Sequence, residues 1–223
     1  EKKMMDMFFE RDSYFLPEGK NMLIEEFGKD YGIYFSILTL IAQGKNTRSE
    51  IENALNIKEL SGYLKNLNEE YGLISKMQPV YEKSSNKNVH YAINDQFLKF
   101  WFRFIYKYTH IIEAGGNNKL KAIAERDFTT VSGKSLESYF NEVLKESGAY
   151  TRLGYWHDRK GENEIDIIAE DELDNKIEFI EVKRQAKNFD ENVLKAKSEL
   201  FFKAVGTFKG YEIIYRGVSI EDM

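Results

Sequence analysis

The sequence predicts an α+β chain made of two bodies in series. Three observations carry that reading: helical periods with glycine stops, closed by two strand-like runs, between residues 30 and 94; a loop of glycines and asparagines near residue 116; and the alternating runs "EIDIIA" and "KIEFIEVK" joined by an acidic turn. At 223 residues, with 42% hydrophobic content, the chain suits one large domain or two small ones. No cysteine is present, which excludes a disulfide framework and thiolate chemistry and is compatible with a reducing cytosol. A net charge of −5 argues against a globally basic nucleic-acid binder but leaves room for a local basic groove. No signal peptide is visible, so a cytoplasmic protein is expected. The opening "EKKMMDMFFERDSYFLPEG" reads as the middle of a longer chain, and residues 1–29 are expected to be a remnant of a preceding domain or a linker.

From residue 30 to 95 the elements follow in order. "YGIYFSILTLIAQG" places apolar residues at 33, 37, 38, 40 and 41, and Gly44 stops the helix. Thr47 and Glu50 form a capping-box pair that starts a second helix. A third, starting near Lys58, carries the stripe Leu60, Tyr63, Leu64 and Leu67 and ends at Gly72. "LISKMQPVYEK" and "NVHYAIN", separated by "SSNK", read as a β-hairpin. This order is that of a winged helix, with Lys58 and Lys65 on the recognition helix and Lys76, Lys83 and Lys87 on the wing. Nearby Glu59, Glu69 and Glu70 balance those lysines, and docking onto a protein is the alternative to reading DNA.

Residues 96–127 read as aromatic linker helices. "DQFLKFWFRFIYKYTHII" is too charged to span a bilayer, and Lys99, Arg103 and Lys107 recur every four residues, as a basic stripe would. "SGKS" at 132–135 echoes a phosphate-binding loop, but Phe128 stands where that motif needs glycine. Ser132 is instead expected to cap a helix whose Leu136, Phe140, Val143 and Leu144 are buried, with Glu137 in its first turn.

"AYTRLGYW", "EIDIIA" and "KIEFIEVK" then form a meander. Alternation sets Glu181 and Lys183 on one face, and if Asp166 shares it, two carboxylates and an ammonium converge. Such a cluster is costly unless a divalent cation binds there. Arg152, His157, Arg159 and Lys160 around the first hairpin, with Arg184 and Lys187 after the motif, offer a groove for phosphates.

Residues 128–217, within an expected domain of residues 128–223, resemble through "ENVLKAKSELFFKAVG" and "YEIIYRGV" the PD-(D/E)xK nuclease superfamily, with "EID" and "EVK" as its two blocks. The resemblance implies a central mixed sheet flanked by helices. It also implies Mg²⁺ or Mn²⁺ held by Asp166, Glu181 and the Val182 carbonyl, Lys183 acting on the attacking water, and Glu137 as an acid from the first helix. The whole chain, from "LPEGKNMLIEEFG" onward, resembles the C-terminal half of a prokaryotic AAA-type ATPase family. That likeness implies an N-terminal ATPase partner, ATP bound only there, residues 1–29 as its lid or linker, and DNA as a partner. The metal-dependent nuclease and an inactive appendage that binds DNA or protein are the two functions expected, with no membrane role and an oligomer allowed.

Overall fold

In a computed structural model, residues 2–81, 89–206 and 208–223 are described. The chain divides into two compact units, one of Glu1–Met77 with Asn86–Thr129, the other of Gln78–Ser85 with Thr130–Met223. Helices and a mixed four-stranded sheet make the fold α+β.

The first unit opens with α1 (Lys2–Phe9) and α2 (Phe15–Phe27). Met5, Phe9, Leu23 and Phe27 are buried, so this segment belongs to a core. Gly19 lies directly beneath the Trp101 indole, whose Nε1–H donates to the Leu16 carbonyl at 2.9 Å. Helix α3 (Tyr31–Ala42) buries Tyr34, Phe35, Ile37, Leu38 and Ile41. Its Ile33 and Leu40 are only half-buried, because the rings at 34 and 35 take the inner face. Helix α4 (Arg48–Leu55) has the expected capping box: the Glu50 N–H donates to Thr47 Oγ1, and the Thr47 N–H to Glu50 Oε2 at 2.9 Å. Helix α5 (Ser61–Glu69) begins later than expected. Lys58 sits in the bend before it, and exposed Lys65 lies 3.9 Å from Glu69. Strands β1 (Ile74–Met77) and β2 (His90–Ile93) pair antiparallel, whereas "SSNK", Lys83 and Lys87 lie outside the described residues.

The aromatic segment is not one regular helix. It runs as α6 (Gln96–Phe100), a π-turn over Trp101–Ile105, a 3-10 turn over Tyr106–Tyr108 and α7 (Thr109–Glu113). Each change of pitch alters the angle per residue, so a spacing of four no longer keeps one face. Phe100, Trp101, Phe102, Phe104 and Ile105 are buried, and Arg103 donates to the Ala42 carbonyl at 3.1 Å. The expected basic stripe is therefore broken. Helix α8 (Asn117–Glu146) follows the turn at Gly115, and Ser132 lies inside it. The stretch ahead of Ser132 is rich in helix formers, so there is no terminus for that serine to cap.

In the second unit β3 (Arg152–His157), β4 (Glu164–Asp171) and β5 (Lys176–Val182) form an antiparallel meander, and β6 (Glu212–Val218) joins β5 in parallel after α9 (Glu191–Val205). One core holds Ile165, Ile168, Ile177 and Phe179 with Leu194 and Phe201 of α9. The other holds Ile167, Ala169, Ile180 and Val182 with Leu136 and Phe140 of α8. Val143 is exposed, contrary to the expected stripe. Residues 78–81 run beside β3: the Val80 N–H donates to the Tyr155 carbonyl at 2.8 Å, and the Tyr81 hydroxyl donates to buried Glu170. Burial, then Glu170, pushes the Tyr81 phenol well above its ordinary range. No helix among the described residues is long and apolar enough to cross a membrane.

A methyl group at Gly19 would overlap the Trp101 ring, whereas one at Gly32 meets no atom within 4 Å. Gly19→Ala is expected to lower unfolding stability by about 1–3 kcal/mol through overpacking, and Gly32→Ala to leave it unchanged or raise it by up to about 1 kcal/mol. Denaturant titration of both variants checks this; equal midpoints would remove Trp101 as the constraint.

Candidate functional site

The acidic group forms where β4 departs from regular pairing. Gly154 faces Ile168 and Trp156 faces Ile165, so two steps along β3 match three along β4. Asp166 and Ile167 thus stand opposite Tyr155 alone, as a β-bulge. In a regular strand Ile165 and Ile167 would share a face. Here Ile165 packs with the α9 core and Ile167 with the α8 core.

The bulge turns Asp166 toward α8. Carboxylate oxygens of Glu137, Glu164 and Asp166 all lie within 4.8 Å of one another. Asp166 Oδ2 also accepts the Val182 N–H at 2.8 Å, which ties it to the end of β5. Burial, followed by the charge of Glu137, pushes the Asp166 carboxyl up to about 7; Glu181 adds to the rise, and the Val182 amide and Lys183 oppose it. Lys134 reaches Glu137 at 3.0 Å and Glu164 at 3.4 Å. Desolvation draws its ammonium down, but Glu137, Glu164 and Asp166 hold it above its ordinary value.

Glu181 and Lys183 share a face, as alternation requires, and Lys183 Nζ lies 2.6 Å from Glu181 Oε1. That carboxylate does not join the group around Asp166. Glu181 is buried, and Lys197 of α9 donates to both its oxygens, at 2.9 and 3.0 Å. The bulge sends Asp166 to the α8 side, while Glu181 is held from the α9 side. Val182 contributes its N–H to Asp166, and Arg184 donates to the Ser132 hydroxyl of α8.

The basic residues expected around the first hairpin are split. Arg159 and Lys160 are exposed in the β3–β4 turn, at the Glu164 end of the sheet. Asp158 organises that turn by accepting from the Lys160 and Glu162 amides and the Asn163 side chain. Arg152 lies at the opposite end of β3, ion-paired with Glu170 at 3.2 Å and Glu172 at 3.3 Å, its guanidinium over the Tyr81 ring. There it balances the charge of buried Glu170.

Three charged residues were missed by sequence reasoning: Glu164, Lys134 and Lys197. Glu164 stands two positions before Asp166, and Lys134 one helical turn before Glu137, so both spacings held a signal. Lys197 had none, since only the packing of α9 on the sheet brings it to Glu181.

The raised Asp166 carboxyl has a consequence for stability. The folded protein retains a proton that the unfolded chain releases near pH 4, so stability falls as pH rises from about 4 to about 7. Above that window the penalty is complete. Asp166→Asn keeps an acceptor for Val182 and cannot ionise. Its stability relative to the parent is therefore expected to increase across this window in chelator-treated buffer, and a difference independent of pH would contradict the burial argument.

Residues 101–195 match a protein family, DUF234, described as archaeal and bacterial proteins of unknown function. The match includes Glu137, Glu164, Asp166, Glu181 and Lys183. An uncharacterized protein of Methanocaldococcus jannaschii is 34% identical over 183 residues, covering 77% of this chain and 40% of the relative. The chain thus spans less than half the length of the curated relative it matches. No solved structure matches it. By these likenesses the chain is similar to archaeal and bacterial proteins of the DUF234 type.

Proposed function

We propose that this chain is the DNA-interacting part of a prokaryotic AAA-type ATPase, and that its second unit is a PD-(D/E)xK-like, Mg²⁺- or Mn²⁺-dependent phosphodiesterase. The observation that carries the reading is Asp166, set on a bulge, tied by the Val182 amide and grouped with Glu137 and Glu164, its carboxyl pushed up to about 7 by burial and then by the charge of Glu137. Such a group gains from a positive charge, and its hard oxygen donors suit a small divalent cation.

Asp166, Glu137 and Glu164 would hold that cation. A bound cation supplies a water of lowered pKa and a polarised phosphoryl oxygen. Lys183 and Arg184, which follow the Val182 amide that ties Asp166, and Arg159 and Lys160 at the Glu164 end are the groups that would receive phosphates. The helix order and hairpin of the first unit support a winged helix, with Lys58 and Lys65 available to a DNA backbone. ATP would be bound by a separate ATPase domain.

A second reading rests on Glu181. Two ammonium groups already neutralise this carboxylate, and Lys134 stands between Glu137 and Glu164 as a built-in cation. On that basis the unit grips DNA or a protein without cutting it.

Calorimetry with Mn²⁺ separates the two. The first reading expects binding that is lost in the Asp166→Ala, Glu137→Ala double variant, plasmid nicking that disappears with it, and Lys183→Ala that abolishes nicking while still binding Mn²⁺. DNA bound with neither Mn²⁺ uptake nor nicking would select the second. For the first unit, Lys58→Ala with Lys65→Ala is expected to weaken DNA affinity at every sequence and to flatten its salt dependence by about one unit of slope for each phosphate no longer neutralised. Unchanged affinity would assign this unit to protein docking.

A further inference from the structure

The four-stranded sheet has two edges, and they are finished differently. Strand β3 has residues 78–81 beside it and lies against a bulge. Strand β6 has neither device. It is seven residues long, contains no proline, keeps unbroken register with β5 from Glu212 to Val218, and has no strand on its other side among the described residues. Unprotected edges of this kind are templates for pairing.

The parallel pairing fixes which groups β6 presents outward. In a parallel strand the N–H and C=O of one residue point the same way, and neighbouring residues alternate. The Glu212 N–H donates inward to Asn175 at 2.8 Å, and the Val218 carbonyl accepts from Lys183 at 2.9 Å. Residues 212, 214, 216 and 218 therefore face β5, and Ile213, Tyr215 and Gly217 turn their backbone groups outward. Among the described residues, no backbone hydrogen bond from outside the sheet reaches them.

We infer that β6 pairs antiparallel with β6 of a second copy of this chain, about a two-fold axis at Ile214, so that one sheet runs through both copies. In that register the outward groups of Ile213 meet those of Tyr215 from the second copy and exchange two hydrogen bonds, and the symmetry repeats the pair. Glu212 comes opposite Arg216 on both sides of the axis, in the non-hydrogen-bonded positions where side chains approach most closely. Arg216 has capacity for a second carboxylate: its side chain is 42% exposed, and its ion pair with Glu178 spans 3.2 Å through Nη2. An axis at Tyr215 would instead set Arg216 against Ile214 and Glu212 against Val218. Charge complementarity selects the axis at Ile214. Ile213, 41% exposed, would then be covered by Tyr215. The axis at Ile214 stands opposite Glu178, near the middle of β5.

Sedimentation of the full chain over a concentration series tests the inference. The parent protein is expected to dimerise as concentration rises. Ile213→Pro deletes an outward N–H and spares the β5 ladder, at an edge position where proline is tolerated; it should be monomeric with an unchanged circular dichroism spectrum. Glu212→Lys sets lysine against Arg216 and should weaken the dimer about tenfold, a readout that stands even if the proline variant does not fold. A parent protein that remains monomeric, including one that takes up an unrelated strand peptide on β6, overturns the inference. So does a dimer whose dissociation constant ignores both substitutions.

Discussion

One backbone amide organises the acidic end of the second unit. The β4–β5 ladder runs from Asp171 and Lys176 to Ile167 and Ile180, and beyond it the Val182 N–H finds the Asp166 carboxylate at 2.8 Å. A buried amide needs an acceptor, and taking one from a side chain fixes that side chain as firmly as the strand itself. The bulge and this hydrogen bond together place Asp166 where Glu137 and Glu164 are its neighbours. Lys134 then offsets part of the repulsion, and Glu181, held by Lys183 and Lys197, forms a separate balanced group of charges on the α9 side. The local electrostatics thus descend from a mismatch of one residue between two strands.

Much of the fold was legible because its causes are local. The Thr47 and Glu50 capping box, the glycines ending α3 and α5, and the order of meander, helix and strand all depend on neighbours a few positions apart. The bulge was not legible: "EIDIIA" contains no glycine or proline, and its period of two is broken only by the cores on its two faces. A regular reading therefore left open whether Asp166 joins Glu181; in the structure Asp166 groups with Glu137 and Glu164, and Glu181 acts on it through its charge. The π-turn at Trp101–Ile105 escaped for a related reason, since spacing of four is blind to a local change of pitch. Arg152 was grouped with Arg159 and Lys160 because sequence distance hides which end of a strand a residue occupies.

The first unit is organised by rings more than by charges. Phe35 meets Phe27, Tyr31, Trp101, Phe102 and Tyr106 in edge-on contacts, and Phe8 stacks on Phe15 beside Phe97 and Phe100. Rings from both ends of this unit's sequence share these clusters, which is why residues 1–29 and the segment after β2 form one body.

Residues 78–81 give the second unit a discontinuous chain. Tyr81 and Glu170 stand 89 positions apart, and the shorter piece leaves the ribosome long before the sheet it lies on. That edge cannot be completed until β3 and β4 have been made, so its closure comes late in synthesis. The same connectivity bears on cutting the protein into parts. A fragment starting at Thr130 would contain every strand of the sheet and still lack Val80 and Tyr81, leaving the Tyr155 carbonyl without that donor and buried Glu170 short of one partner. A single point of division cannot separate these two units intact.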